Sequence, residues 1–120
     1  MSRPPDITTL IPLKPVELEL LLALAAEERH GYALVQEITA QTDGVVQLEP
    51  GNLYRVIKRL LADGLVQEST RRAIDDTDER RRYYRLTALG VRVLNAELSR
   101  IRSIMARASV RAFTRRLNPA

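Results

Sequence analysis

Cysteine is absent from this sequence of 120 residues, which excludes disulfides, thiolate metal sites and thiol catalysis. Aromatic residues make up only 4% of the chain and tryptophan is missing, so a core must be built from Leu, Val, Ile and Ala. Hydrophobic residues still reach 45%, enough for one compact domain with one additional element. The lack of cysteine suits a reducing compartment, and we expect a cytoplasmic protein.

Long hydrophobic runs are also absent. The longest nearly apolar stretch, from Leu18 to Ala26, is far too short to cross a bilayer. Residues 1–13 contain no continuous apolar segment followed by a small-residue cleavage site, so we expect no signal peptide. Neither membrane attachment nor secretion is therefore predicted.

Motifs for catalysis or metal binding are scarce. The chain has no nucleophile–base arrangement and no glycine-rich phosphate loop. Its single histidine, His30, cannot hold a metal without carboxylates fixed nearby, and we expect it to end one helix or cap the next. The acidic residues 75, 76, 78 and 79 lack the glycine turn and final glutamate of a calcium loop, and are interpreted as a solvated loop. We predict no enzyme activity, no metal and no cofactor.

Charge is distributed unevenly along the chain. Residues 1–50 contain 3 basic and 8 acidic side chains, a balance of −5, whereas residues 51–120 contain 16 and 7, a balance of +9. Almost all of the basic residues are arginine, whose planar guanidinium pairs with phosphates and with guanine edges. This asymmetry suggests a surface that faces nucleic acid, and solvated arginines alone account for the composition equally well.

The order of predicted elements is typical of a winged helix. A first helix begins at Pro15, and a second, amphipathic helix contains Tyr32 and ends at Asp43-Gly44. Residues 45–48 are predicted as a short strand, and a third helix covers about residues 50–63. Two strands, residues 65–70 and 83–87, flank a charged loop and form a hairpin. A last helix covers about residues 88–115, with Thr87 as its cap.

We therefore predict a mainly α fold with a small β-hairpin. Its parts are a flexible N-terminal arm (residues 1–13), a winged helix-turn-helix DNA-binding domain (residues 14–87) and a single C-terminal dimerisation helix (residues 88–117). In such a fold the third helix enters the major groove and the hairpin lies along the DNA backbone. The third helix pairs an apolar stripe with a polar, basic face, and its start at Pro50-Gly51 leaves backbone N–H groups free to meet a phosphate.

Candidate DNA contacts follow from that polar face. Arg55 and Arg59 suit guanine or phosphate, and Lys58 provides a point charge for phosphate. Basic residues at the base of the wing are added to this set, although the acidic loop tip leaves the role of the wing open. The predicted DNA-binding residues are Tyr32, Asn52, Tyr54, Arg55, Lys58, Arg59, Arg80, Arg81 and Arg82. The competing interpretation of the helix residues is an ordinary solvated face.

Four segments in order resemble successive motifs of PadR-like transcriptional regulators. They are His30-Gly31-Tyr32-Ala33-Leu34, the stretch from Pro50 to Leu60, Asp63-Gly64-Leu65-Val66 and the stretch from Arg82 to Gly90. The resemblance implies a winged-helix domain, a homodimer formed through the C-terminal helix and binding to a palindromic double-stranded operator. It also implies a repressor that is relieved by a small hydrophobic or aromatic effector.

Tyr54 and Tyr32 have two interpretations each. The ring of Tyr54 could pack in the core while its hydroxyl reaches a phosphate, and the resemblance favours DNA contact. Tyr32, at the start of the second helix, could clamp the DNA backbone or pack internally with equal probability.

The last helix carries apolar residues at alternating spacings of three and four, beginning at Val91. This stripe is too long to be buried against so small a domain, so a partner helix is expected to cover it. The predicted dimer interface consists of Leu94, Leu98, Ile101, Met105, Ala108 and Ala112. By analogy with the fold, an effector pocket between this helix and the first one would be lined by Leu18, Leu22, Ile101 and Met105.

One alternative comes from a different functional class. The acidic N-terminal half could bind another protein, which would make the chain a winged-helix interaction module with solvated arginines. Salt-dependent binding to an operator separates the two hypotheses, because affinity falls steeply with salt when several phosphates are neutralised.

Overall fold

The computed structural model describes residues 6–69 and 82–117. Within these ranges a 3₁₀ turn at Ile7–Thr9 precedes five α-helices and three short strands. The helices are α1 (Pro15–Ala26), α2 (Gly31–Gln41), α3 (Pro50–Ala62), α4 (Ala88–Ala106) and α5 (Ala108–Leu117). The strands are β1 (Arg29–His30), β2 (Val66–Ser69) and β3 (Tyr83–Leu86). This arrangement confirms the predicted mainly α fold with a winged helix-turn-helix.

The three strands form one antiparallel sheet in the order β1-β3-β2. Strand β3 lies in the middle, with Tyr84 opposite Arg29 on one side and opposite Glu68 on the other. The predicted hairpin strands are therefore present, but the strand predicted at residues 45–48 is wrong. Those residues are a bend and an irregular segment, and Val46 and Leu48 pack against the core without a strand partner. The third strand is β1, whose two residues are too few to give a hydrophobic alternation.

The core lies where α1, α2, α3 and α4 meet over the sheet. It is aliphatic, as the composition predicts, with Tyr84 as its only clustered aromatic residue among the described positions. Helix α1 has apolar side chains on nearly every side and contributes four buried residues, whereas α3 buries a narrow stripe. The buried α3 residues are Leu53, Ile57 and Leu60, each no more than 2% exposed. This stripe fixes α3 on the domain and leaves its opposite face in solvent.

The predicted flexible arm is wrong for residues 6–13, and residues 1–5 lie outside the described part of the chain. Asp6 caps the 3₁₀ turn by accepting a hydrogen bond from the Thr8 amide. Ile7, Leu10, Ile11 and Leu13 all pack against the core. Apolar residues at these positions bury enough surface to hold the segment in place, even though the prolines remove any helical periodicity.

Helix α4 starts in a tightly packed corner. Thr87 caps it by accepting a hydrogen bond from the Gly90 amide at 2.9 Å, as predicted, and its hydroxyl also donates to the Gly64 carbonyl. A Cβ atom on Gly90 would lie 2.0 Å from the carbonyl oxygen of Leu65. Only glycine permits this approach, so the first turn of α4 is locked to the turn that follows α3.

The predicted single C-terminal helix is wrong, because it breaks at Arg107. This residue has an extended backbone (φ −61°, ψ 137°), and its amide bonds back to the Ile104 carbonyl. The sequence contains no glycine or proline at the break. Helix α5 has no buried residue, so packing against the described part of the chain does not hold a continuous helix straight at this point.

Candidate nucleic-acid interface

Helix α3 presents a polar face opposite its buried stripe. Asn52, Arg55 and Lys58 are all exposed, and Arg55 and Lys58 are three residues apart, so they share one side of the helix. The Glu49 side chain makes no capping bond to the helix start, where Pro50 occupies the first turn. The structure thus places three of the predicted DNA-binding residues together in solvent.

Tyr54 lies at the edge of this face and leans over the start of α2. It is 54% exposed, and a Cβ atom on Gly31 would lie 2.8 Å from its hydroxyl oxygen and 3.1 Å from the carbon bearing it. The ring therefore packs against the glycine backbone while much of its surface faces solvent. The ring thus packs on α2 without entering the core, and DNA contact by its hydroxyl stays a prediction.

A shallow and mainly apolar depression separates the first turns of α2 and α3. It is lined by Gly31, Tyr32, Val35, Pro50, Leu53 and Tyr54. Tyr32 is 64% exposed, so it belongs to the surface rather than to the core. Two tyrosine rings thus flank the point where the N-terminal ends of two helices come together, and helix N-termini favour negatively charged groups.

His30 caps α2, as the sequence analysis predicts. Its Nδ1 atom accepts a hydrogen bond from the Ala33 amide at 3.3 Å, and its ring packs edge-on against Tyr83 with 5.2 Å between ring centres. An acceptor Nδ1 is unprotonated. In the described part of the chain, no group of three or more His, Cys, Asp or Glu side chains could hold a metal ion.

Arg59 is held by a partner on another helix. Its Nη2 atom lies 3.1 Å from Oε2 of Glu17, and the exposed fractions of the two side chains are 44% and 13%. The sequence analysis predicted Arg59 as a DNA contact without this pairing. The spacing of 42 residues between the partners gives no sequence signal that could reveal it.

Of the three predicted DNA-contact arginines of the wing, Arg82 alone lies among the described residues. Arg82 is exposed and its Nη1 atom forms an ion pair at 2.9 Å with Glu68 on the facing strand. Arg80 and Arg81, together with the acidic loop, lie outside the described residues. Arg82 therefore lies directly before the central strand β3, with a carboxylate partner already in place.

The predicted dimer residues fall into three groups. Leu94 is only 6% exposed and belongs to the core of its own chain, which corrects its assignment to an exposed seam. Leu98 and Ile101 are half-buried, and Leu98 packs against that core. Met105, Ala108 and Ala112 are exposed, the last two on α5. Leu94 faces inward because α4 turns the side bearing Gly90, Val93, Leu94 and Glu97 to the domain.

The predicted effector-pocket residues are divided between two helices that contact one another. Leu18 and Leu22 on α1 pack against the core and are partly buried. Ile101 is half-buried on α4, whereas Met105 is 55% exposed one turn further along. The surface around Met105 is thus open in a single chain.

Sequence analysis missed a buried carboxylate on α4. Glu97 is 1% exposed; its Oε2 atom accepts a hydrogen bond from the Leu13 amide, and its Oε1 atom accepts one from Arg100. The bond from Arg100, together with the Leu13 amide, lowers the pKa of Glu97 below its usual value although burial opposes the shift. An isolated glutamate inside the apolar stripe of a helix is the only signal that could have indicated it.

Comparison with known proteins identifies a family model and solved structures that this chain resembles. A protein-family model described as the transcriptional regulator PadR-like family matches residues 20–96. The RosR protein of H. salinarum is similar over 90% of this chain and 92% of its own, with 25% identity and a TM-score of 0.67. Bacillus subtilis PadR, solved in complex with operator DNA, is similar over 72% of this chain and 48% of its own, with 22% identity and a TM-score of 0.60.

A relative in Lysinibacillus sphaericus is an uncharacterised protein. It is 31% identical over 71 residues, which make up 59% of this chain. The chain spans 63% of the length of this relative. In the described ranges, no helix is both long enough and apolar enough to span a membrane.

Proposed function

Because this chain belongs to the transcriptional regulator PadR-like family, we propose that it represses transcription as a dimer bound to a palindromic operator. Membership makes it a DNA-binding transcriptional regulator rather than an enzyme. The observation that carries the proposal is the exposed polar face of α3, with Asn52, Arg55 and Lys58 on a helix anchored by fully buried leucine and isoleucine side chains.

In the proposed complex α3 lies in the major groove. Arg55 donates to a guanine edge or a phosphate, Lys58 neutralises a phosphate, and Asn52 reaches the groove from the first turn. Tyr32 and Tyr54 flank the helix starts and donate their hydroxyls to the DNA backbone. Bacillus subtilis PadR was solved with operator DNA, and the likeness of the two folds supports DNA binding by the present chain.

The wing would contact the backbone beside α3. Arg82 reaches a phosphate only while sharing or leaving its ion pair with Glu68, which makes its contribution smaller than that of Arg55. The same role is proposed for Arg80 and Arg81 from the sequence alone. Phosphate contacts of this kind fix the register of the protein on the duplex.

Dimerisation is supported by apolar side chains that one chain leaves in solvent. Met105 on α4 and Phe113 and Leu117 on α5 are each more than half exposed. A symmetric dimer through these helices would bury them and would place two α3 helices on one side of the assembly. Two recognition helices about one DNA turn apart then read the two halves of a palindrome.

Relief of repression is proposed to act through the same surface. The proposed pocket residues Leu18, Leu22, Ile101 and Met105 belong to α1 and α4, which contact one another, and a second chain covering Met105 would enclose them. A small hydrophobic or aromatic effector bound there would change the dimer angle. The locked corner between α4 and the end of α3 would transmit that change to the spacing of the recognition helices.

The test is a fluorescence-anisotropy titration with a duplex from the promoter of the chain's own gene and a scrambled duplex of equal length. We expect tighter binding to the promoter, and a loss of this preference in the Arg55→Ala, Lys58→Ala variant. Equal affinity for both duplexes would contradict sequence-specific repression of this promoter. The absence of any binding at low salt would contradict DNA binding itself.

A further inference from the structure

The ion pair between Arg59 and Glu17 joins the proposed recognition helix to the start of α1. The two side chains differ in exposure, since the guanidinium side chain is 44% exposed and the carboxylate side chain is 13% exposed. The arginine thus remains within reach of a ligand on the α3 side, while most of its partner's side chain is sheltered from solvent. Ion pairs with one exposed and one sheltered member hold the exposed member in a defined place.

Glu17 is itself held by the backbone. Its Oε1 atom accepts a hydrogen bond from the Lys14 amide at 2.8 Å, so that both carboxylate oxygens are engaged. The amide of the preceding residue, Leu13, is held by Glu97 of α4. Two consecutive amides just before α1 therefore donate to carboxylates. The backbone thus helps to fix the carboxylate of Glu17.

The guanidinium of Arg59 has N–H donors that Glu17 does not engage. Arginine carries five N–H groups in a planar fork, and Glu17 engages it through Nη2. Arg59 lies one helical turn from Arg55, and both are exposed on α3. The nitrogens that do not face Glu17 are available on the side of the helix proposed to face DNA.

We propose that Glu17 is a positioning residue for DNA binding, which orients the Arg59 guanidinium so that its remaining nitrogens donate to a DNA phosphate. This inference rests on the proposed function. A free arginine side chain loses much of its rotamer freedom when it binds a phosphate. Glu17 imposes that restriction before DNA arrives, so the bound state costs less entropy.

The proposal predicts a change in DNA affinity opposite to the change expected from charge repulsion alone. A carboxylate near DNA repels the phosphates, so removing its charge should strengthen binding if Glu17 does nothing else. If Glu17 positions Arg59, removing its charge weakens binding. The direction of the change therefore separates the two possibilities without depending on its size.

The experiment measures the affinity of five proteins for the promoter duplex at two salt concentrations, after thermal unfolding has checked that each is folded. Glu17→Gln keeps an oxygen that can accept the Lys14 amide but loses the negative charge. We expect it to bind about threefold to fivefold more weakly than wild type, as for the loss of one ion pair. The control is Asp63→Asn, which removes the same charge from the exposed C-terminal end of α3 and is expected to bind equally or more tightly.

The fourth protein combines Glu17→Gln with Arg59→Gln and is compared with the fifth, Arg59→Gln alone. We expect the two to have equal affinity, because Glu17 acts only through Arg59, and we expect Arg59→Gln to lower the salt slope by about one phosphate. If wild type binds the duplex and Glu17→Gln binds it equally or more tightly, this inference is overturned and the proposed function stays intact. If Glu17→Gln unfolds, the test is the salt dependence of Arg59→Gln binding. A slope of log affinity against log salt equal to that of wild type would overturn this inference and leave the proposed function intact. No binding by wild type would overturn both.

Discussion

Gly31 shows how a single residue joins α2 and α3, the two helices whose first turns flank the proposed DNA-binding surface. The Tyr54 ring lies directly over its α-carbon, so any side chain at position 31 would push the ring away. Sequence analysis identified both residues but not their contact, because they are 23 positions apart on different helices. Patterns along one chain reveal a face of a helix, but not which residue from another helix lies on it.

Gly31→Ala is expected to destabilise the fold by about 1 to 2 kcal/mol, since the new methyl group would overlap the Tyr54 hydroxyl. Tyr54→Phe removes the nearest atom, so the double variant should recover part of the loss. Urea unfolding of the two single variants and the double variant measures this coupling. Strictly additive effects would contradict the contact.

Glu97 is the residue that sequence analysis could least have found. Its principal partners are an adjacent-turn arginine and a backbone amide 84 positions away. A backbone amide leaves no trace in residue type, so the burial of this carboxylate depends entirely on tertiary structure. Its position explains why the N-terminal segment is fixed to α4 rather than free.

Glu97 should make stability depend on pH in a defined direction. Its folded-state pKa lies below the ordinary value of 4.5, chiefly because of the bond from Arg100. The stabilisation it provides is thus complete above about pH 4.5 and is lost as the pH falls through the folded-state pKa. Glu97→Gln is expected to lower the free energy of unfolding by about 2 kcal/mol at neutral pH. A wild-type advantage that stays constant down to acidic pH would contradict the charged hydrogen bonds.

At the scale of elements, local patterns predicted most of the fold. Pro15 and Pro50 mark the starts of α1 and α3, and the caps His30 and Thr87 were both identified from sequence. The errors occurred where tertiary pairing decides the structure. Strand β1 has two residues and exists through β3, and the break at Arg107 occurs where packing against the described part of the chain does not act on the helix.

The corner between α3 and α4 should tolerate no side chain at position 90. Gly90→Ala would place a methyl group against the Leu65 carbonyl, and we expect a loss of about 3 kcal/mol or more. Gly51→Ala is the matched control, because nothing lies within 4 Å of a Cβ atom there, and we expect a change within about 1 kcal/mol. Thermal or urea unfolding compares the two. Similar losses for both variants would contradict the locked corner.

At the scale of the whole molecule, the structure shows which partners the acidic residues of the first half have. In the first half, three acidic residues pair with Arg29 or Arg59, and six of the eight bond to groups within the chain. They are Asp6, Glu17, Glu19, Glu27, Glu28 and Glu37. This disfavours a protein-binding module built on the acidic half, whereas Arg55 and Lys58 remain exposed on α3.

The oligomeric state belongs to this scale as well. Met105→Glu would place a charge in the proposed dimer interface, and we expect it to weaken dimerisation by about a hundredfold or more. Ser103→Glu, at an exposed position of the same helix, is the control and should remain dimeric. Light scattering coupled to size exclusion measures both. A monomeric wild type, or a dimeric Met105→Glu variant at low concentration, would show that this surface is not the interface.

The most direct test of the central claim compares two pairs of charge-removing substitutions for their effect on the salt dependence of operator binding. Arg55→Gln with Lys58→Gln neutralises α3, and Arg102→Gln with Arg111→Gln removes the same two charges from exposed positions of α4 and α5. We predict that the α3 pair weakens binding and reduces the slope of log affinity against log salt by about two, while the other pair changes neither. Equal effects of the two pairs would contradict α3 as the DNA-reading helix.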